Sequence, residues 1–283
     1  MQSAQTRLSI LKQKSEHDEY YKFKRLFRNL YNPDFYLRAY QKLSQKEGNH
    51  TLGIDNATID GFSLQTVQNL IELQKTGKYK PKPSKRVYIP KKNGKLRPLG
   101  IPCFEDKVIH EIVREILEAI YEHIFCDSSH GFRPNRSCQT ALHQIKNKAA
   151  GTNWVIEVDI TRFFENIDHN TLMKLLAKKI KDGRILDLIR RFLKGGTLIS
   201  KKFIIRSREL LRVVALVRDI GKYISAHTCS TCRGTSQTIQ QRSKQTAQSP
   251  LYSRLLGSRR RALKRGYKKK SKTIPKANAH YTI

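Results

Sequence analysis

Trp154-Val155-Ile156-Glu157-Val158-Asp159-Ile160-Thr161-Arg162-Phe163-Phe164 carries the clearest local signal in the sequence. Trp154, Ile156, Val158 and Ile160 alternate with Val155, Glu157 and Asp159, the two-residue period of a strand with one apolar face. Asp159 therefore arrives at a strand tip beside a turn. A carboxylate there, next to the Ile160 carbonyl, offers hard oxygen donors to a hard divalent cation. Taken alone, an Asp at a strand end more often serves a turn or a cap, and an aromatic such as Phe163 or Phe164 fills a core. The surrounding segments decide between these readings.

Downstream, the turn Asn166 to Asn170 leads into a helix carrying Leu172, Leu175, Leu176 and Ile180. A second helix follows through Ile185, Leu188, Ile189, Phe192 and Leu193. Upstream, Val108, Ile109, Ile112, Val113, Ile116, Leu117 and Ile120 form one broad apolar stripe, with Glu105 and Asp106 at its positive N-terminal end. Before that helix the period changes to two. Val87 and Ile89 alternate with Tyr88, and a two-residue Asn93-Gly94 loop turns the chain back through Leu96 to Ile101. On that register Lys92 and Arg97 share a face and Lys91 points away. Residues 1–80 read as helical and basic. Tyr20, Phe23, Leu26, Phe27 and Leu30 recur at helical spacing until Asn32-Pro33 breaks the run, and Ser63 caps a helix that ends near Gly77.

Net charge dominates the composition: +33, from 56 Lys and Arg against 23 Asp and Glu. Such an excess repels itself unless a polyanion neutralises it, so nucleic acid is the first partner to consider. Five cysteines at uneven spacing make no disulfide framework and suit a reducing compartment. His227, Cys229 and Cys232 lack the second ligand pair of a zinc site. The start has no apolar signal-peptide core, and no stretch is long enough to cross a bilayer. The expectation is a soluble protein of a bacterial cytoplasm or an organellar matrix, not secreted and with no membrane partner. After Asp219 no acid occurs while Lys and Arg accumulate and apolar periodicity fades, so residues 205–283 are expected to be poorly folded.

Three segments together resemble group II intron-type reverse transcriptases. Arg86-Val-Tyr-Ile-Pro-Lys-Lys-Asn-Gly-Lys-Leu-Arg-Pro-Leu-Gly-Ile-Pro102 is similar to the fingers segment. His130-Gly-Phe-Arg-Pro-Asn-Arg-Ser-Cys-Gln-Thr-Ala-Leu142 resembles the next block, and Trp154 to His169 resembles palm motif A. Asn32 to Gly61 looks like the extra N-terminal block of this family, and the order and spacing of all of them fit. The resemblance implies an α/β fold in three parts: an N-terminal helical extension over 1–80, reverse-transcriptase fingers and partial palm over 81–203, and a basic tail over 204–283. It implies RNA-directed DNA polymerisation joined to intron RNA binding, with intron RNA and template–primer as partners. Asp159 and the Ile160 carbonyl would hold Mg²⁺. Phe164, with or without Phe163, would lie below the sugar and reject a 2′-hydroxyl. Arg97 and Lys91 or Lys92 would contact the incoming triphosphate, the resemblance suggesting Lys91 where the two-residue loop favours Lys92. Arg133 and Arg136, flanking Pro134, would bind template phosphates.

The same resemblance exposes a gap. This family needs a second carboxylate pair in a Tyr-x-Asp-Asp hairpin, and no Asp-Asp occurs in these residues. The Thr-Pro-Gln-Gly block expected soon after Gly196 is also missing, and Asp219 stands in the wrong context. Motif resemblance ends near Phe203, then returns weakly from Ser249 to Pro275, as a frameshift in the gene would leave it. The expectation is a chain that polymerises nothing on its own. The competing expectation is an RNA-binding, maturase-like module or a non-functional remnant.

Overall fold

The computed structural model describes residues 2–46, 48–90, 94, 96–148, 168–195, 197–199 and 202–204. The segment carrying Asp159 and the tail beyond residue 204 lie outside the described residues, as do Lys91 and Lys92.

The apolar stripe read at 108–120 becomes the central helix α4 (Phe104–Tyr121). Val108, Ile109, Ile112, Val113, Ile116, Leu117 and Ile120 are each at most 1% exposed. Helices α1 (Ala4–His17), α2 (Pro33–Ser44) and α3 (Leu64–Lys75) come from the N-terminal part, and α5 (Cys138–Lys148), α6 (His169–Lys179) and α7 (Gly183–Lys194) follow α4. One apolar cluster runs from Ala4 through α4 to Leu193, so the N-terminal helices share a core with the segments after residue 80. Ser15 Oγ donates to the Ile120 carbonyl at 2.7 Å, and Lys179 Nζ donates to Ser15 at 3.1 Å, joining α1, α4 and α6. Ser63 caps α3 as its position suggested, accepting from Thr66 N, and Gly77 takes the positive φ of +70° just past the helix end. Among the described residues no helix is long and apolar enough to cross a membrane.

A small mixed sheet of order β2-β1-β3-β4 accompanies the helices. β1 (Ser84–Pro90) and β2 (Leu96–Ile101) are antiparallel, β3 (Thr197–Ile199) lies parallel to β1, and β4 (Lys202–Ile204) pairs antiparallel with β3. The hairpin register differs by one residue from that of a two-residue Asn93-Gly94 loop. Pro90 pairs with Leu96 and Ile89 with Arg97, leaving positions 91–95 as the connection, within which Gly94 has a φ of +74°. The prolines explain the shift. In this register Pro90 and Pro98 fall in alternate pairs of the same class, so both can sit where no ladder N–H is needed. The two-residue loop would have placed one of them at a hydrogen-bonded position.

The spacing of Tyr20 to Leu30 also misleads. Phe23 N donates to the Lys179 carbonyl at 2.7 Å and Lys181 N donates to the Phe23 carbonyl at 2.8 Å, a short parallel bridge to Ile180. Arg25 then turns left-handed at φ 59°, and only Leu26–Tyr31 coils, as a 3₁₀ helix. A tertiary bridge has taken the backbone groups that an α-helix would have used. Asn32-Pro33 begins α2 instead of merely ending a run. Asn32 Oδ1 accepts from Asp34 N at 3.1 Å, and Pro33 stands in the first turn, where its missing N–H costs nothing.

The α2–α4 contact is charged. Glu115, with its side chain 3% exposed, accepts from Arg38 Nε on both oxygens at 3.1 Å and also pairs with Lys42. Glu111, one turn earlier, pairs with Arg114 at 2.8 Å and with Lys46 at 3.4 Å. Removing one partner of a buried pair costs about 3–5 kcal/mol when the other is stranded. Arg38 and Lys42 are about a third exposed and can turn partly to water, so the low end applies. Glu115→Ala is expected to destabilise the fold by about 3 kcal/mol. Urea unfolding of Glu115→Ala with an unchanged midpoint would show that the pairs contribute nothing.

Two buried groups on α4 titrate in opposition. Burial pushes the Asp106 carboxyl up to about 6, although Lys82 N donates to it at 3.0 Å and the Tyr79 hydroxyl also donates. Burial pushes His110 down to about 3; its ring meets Phe192 edge-on at 4.1 Å, and its Nε2 has no hydrogen-bond partner among the described residues. Asp106 has a raised folded pKa, so its contribution is present at low pH and lost as pH rises towards 6. His110 has a depressed one, so stability falls as pH drops below the unfolded value of about 6.5. Between about pH 4 and pH 6 the two slopes, each about 1.4 kcal/mol per pH unit, cancel. Asp106→Asn is expected to unmask the acid loss of His110, and His110→Phe to make the protein more stable on acidification. Chemical unfolding at several pH values reads this out; parallel profiles for both variants and wild type would refute the assignment.

Candidate polymerase site and nucleic-acid interface

The described ends of β1 and β2 beside their connection are exposed. Tyr88 is 47%, Ile89 45% and Leu96 62% exposed, so the alternation read from Val87 to Ile89 does not mark a buried face. Arg97 stands in β2 opposite Ile89. Gly100, on the same strand, pairs with Arg86, whose guanidinium lies 5.0 Å from the centroid of the Tyr88 ring. The loop before α3 is held against the start of α4. A Cβ at Gly53 would meet the Cys103 backbone at 3.0 Å, and Lys82 Nζ bridges Asp55 at 3.1 Å and Glu105 at 2.9 Å. This ties the block Asn32 to Gly61 to the root of the hairpin.

Arg133 and Arg136, read as a pair, have different surroundings. The Arg133 side chain is 7% exposed and makes four hydrogen bonds from its five donors. Nε donates to Glu122 Oε1 at 2.8 Å, Nη1 to the carbonyls of Cys126 and Ser129 at 2.9 Å each, and Nη2 to the Glu122 carbonyl at 3.3 Å. Its guanidinium also lies 5.5 Å from the centroid of the Phe125 ring. It clamps the turn after α4. Arg136 is 30% exposed, with one donor on the Asp127 carbonyl at 3.3 Å and a longer ion pair to the Asp127 carboxylate at 3.6 Å. His130 is engaged by side chains of α5. Its Nδ1 lies 2.9 Å from Thr140 Oγ1, and the Gln144 amide nitrogen donates to its Nε2 at 2.6 Å.

Motif A itself, with Asp159, Ile160, Phe163 and Phe164, falls outside the described residues. Its last acid is described. Asp168 caps α6, accepting from Thr171 N at 2.8 Å, Thr171 Oγ1 at 2.6 Å and Asn170 N at 3.3 Å. The Thr171 hydroxyl and these amides hold its carboxyl below the usual range. Asp168 is therefore occupied as a cap, which sets the direction in which α6 leaves the motif. Among the described residues no group of three His, Cys, Asp or Glu is arranged to hold a metal ion.

Comparison with known proteins gives this geometry its context. A profile described as reverse transcriptase (RNA-dependent DNA polymerase) matches residues 89–241. The match continues past Phe203, where recognisable motifs end, and so extends into the basic region. The chain is 52% identical over 177 residues to the group II intron-encoded protein LtrA of Lactococcus lactis subsp. cremoris, covering 62% of this chain and 30% of LtrA. It is 38% identical over 170 residues to a putative COX1/OXI3 intron 1 protein of Saccharomyces cerevisiae, covering 60% of this chain and 20% of that one. It is 38% identical over 93 residues to the nuclear intron maturase 1, mitochondrial, of Arabidopsis thaliana, covering 33% and 13% respectively. The chain thus spans less than a third of the length of each of these three relatives. With the profile matched across more than half of its residues, the protein belongs to the reverse transcriptase (RNA-dependent DNA polymerase) family, in the group II intron branch.

Proposed function

We propose that these residues form the RNA-binding fingers and first palm segment of a group II intron reverse transcriptase, and that they do not polymerise alone. The observation that carries the reading is the profile match over 89–241, which joins the fingers hairpin to motif A in one chain. Within it, Asp159 and the Ile160 carbonyl supply the hard oxygen donors that suit Mg²⁺. Bound there, Mg²⁺ would lower the pKa of a primer 3′-hydroxyl and offset charge on the transferring phosphate. Phe164, with Phe163 beside it, is the candidate to exclude a 2′-hydroxyl.

Arg97 and one of the two lysines contact the triphosphate in this reading. Of the two, the family resemblance suggests Lys91; both lie outside the described residues. Template phosphates fall to Arg136, because Arg133 is already held by protein acceptors. Residues 204–283 are assigned to the basic tail that adds charge for intron RNA.

A maturase-like role, holding intron RNA without copying it, is the second reading. The observation favouring it is that the sequence holds no Asp-Asp. Binding of structured RNA and primer extension on an RNA template, measured on the same full chain, separate the two.

A further inference from the structure

The bridge between Phe23 and Ile180 brings two stretches of chain together that the sequence keeps far apart, and it builds a basic groove between them. An open groove of about 420 Å³ runs between the Lys24–Tyr31 segment and the turn Lys181-Asp182-Gly183-Arg184. Five cations line it: Lys24, Arg25, Arg28, Lys181 and Arg184, all exposed. The one acid in the lining, Asp182, is engaged by backbone N–H groups. Its Oδ2 accepts from Phe27 N at 2.8 Å and its Oδ1 from Arg184 N at 3.1 Å, so a single carboxylate fastens both walls. Among the described residues none of the five cations forms a salt bridge with a carboxylate. The nearby Asp187 pairs with Arg191 at 2.6 Å.

Arg184 is fixed in place. Its guanidinium lies 4.3 Å from the Phe27 ring centroid and 5.7 Å from that of Tyr31, and Nη2 donates to the Gln74 carbonyl at 3.0 Å. Arg25 sits at φ 59°, a left-handed backbone that residues other than glycine rarely adopt, and its long cation lines the groove. The aromatic floor is covered by Arg184, so it presents no free face on which a base could stack. What remains is a cluster of point charges on two rigidly joined walls. That chemistry suits phosphates and carries no base information.

We propose that this groove is a sequence-independent docking site for the phosphate backbone of folded RNA, separate from the polymerase site. It rests on the reading of the chain as an RNA binder. It adds five residues on which neither motif resemblance nor the polymerase reaction draws.

The test compares the full chain with two triple variants of equal charge. Lys24→Ala/Arg28→Ala/Lys181→Ala removes cations from the groove, and Arg7→Ala/Lys12→Ala/Lys14→Ala removes three from the outer face of α1. Filter binding to a structured RNA over a salt series is expected to lose about one unit of log–log slope per groove cation, with affinity about tenfold or more weaker at physiological salt. The α1 triple is expected to change little, and Lys24→Arg/Arg28→Lys/Lys181→Arg to bind as wild type. Equal losses in the two alanine triples would reduce the groove to bulk charge and overturn the proposal. So would a groove triple that melts normally and binds RNA like wild type, or one that loses only adhesion to phosphatidylserine vesicles. Failure of the wild-type chain to bind RNA would overturn the underlying function as well, which distinguishes the two failures.

Discussion

Raising monovalent salt from about 50 mM to about 200 mM is expected to weaken binding of the full chain to structured RNA about a thousandfold. The expectation comes from charge rather than from any single contact. A net +33 leaves far more cations than the acids can neutralise. Each phosphate neutralised releases counterions, and about six such contacts give a slope that spans three decades over a fourfold salt change. The five groove cations, Arg136 and the basic residues beyond 204 are more than enough to supply six. Filter binding or fluorescence anisotropy across the salt series reads the slope directly. A loss below about tenfold would mean that the charge serves solubility, and the RNA-binding reading would go with it.

The features legible in the sequence were those fixed by local chemistry. The α4 stripe, the Ser63 cap with its Gly77 stop, and the apolar spacing of α6 and α7 each depend on residues a few positions apart, and each stands as read. The features that escaped depend on distant partners. Arg38 and Glu115 are 77 positions apart, and neither the charge pattern of α2 nor that of α4 announces the pairing. Phe23 left its apparent helix because Lys179 and Lys181 offered backbone partners across the fold. The basic groove exists only through that bridge, so its two halves read as two unremarked charged turns. Arg133 and Arg136 read alike because both flank Pro134, and only the carbonyls of Cys126 and Ser129 show how closely the protein holds Arg133. The signal that could have hinted at this was Glu122, the one nearby acid able to reach it. The hairpin register was within reach of the sequence: applying the demand that Pro90 and Pro98 both avoid ladder donors would have excluded the two-residue loop.

No primer extension is expected from residues 1–283 by themselves, with Mg²⁺ present and on an RNA template. Two-metal phosphoryl transfer needs several carboxylates close together, both to hold the ions against each other's charge and to offset the phosphates they clamp. On the proposed reading motif A contributes Asp159. Asp168, the last acid of the motif, is taken by the Thr171 amide and hydroxyl as a helix cap, and no Asp-Asp pair occurs in these residues. A rate loss of many orders of magnitude follows, because a missing ligand set removes the reaction's charge stabilisation rather than trimming it. Supplying a polypeptide that carries the remaining palm carboxylates, in cis or in trans, is expected to restore synthesis, and Asp159→Ala in the restored enzyme to abolish it again. The encoding DNA offers an independent check on whether a frameshift interrupts the motif order after Phe203. If it does, another frame over codons 203–250 encodes a Thr-Pro-Gln-Gly-like block, and one beyond codon 276 a Tyr-Ala-Asp-Asp-like block. Neither block in either frame would sink the frameshift account. Extension by the unassisted chain that Asp159→Ala eliminates would sink the larger claim, since Asp159 would then be working with carboxylates that its sequence does not reveal.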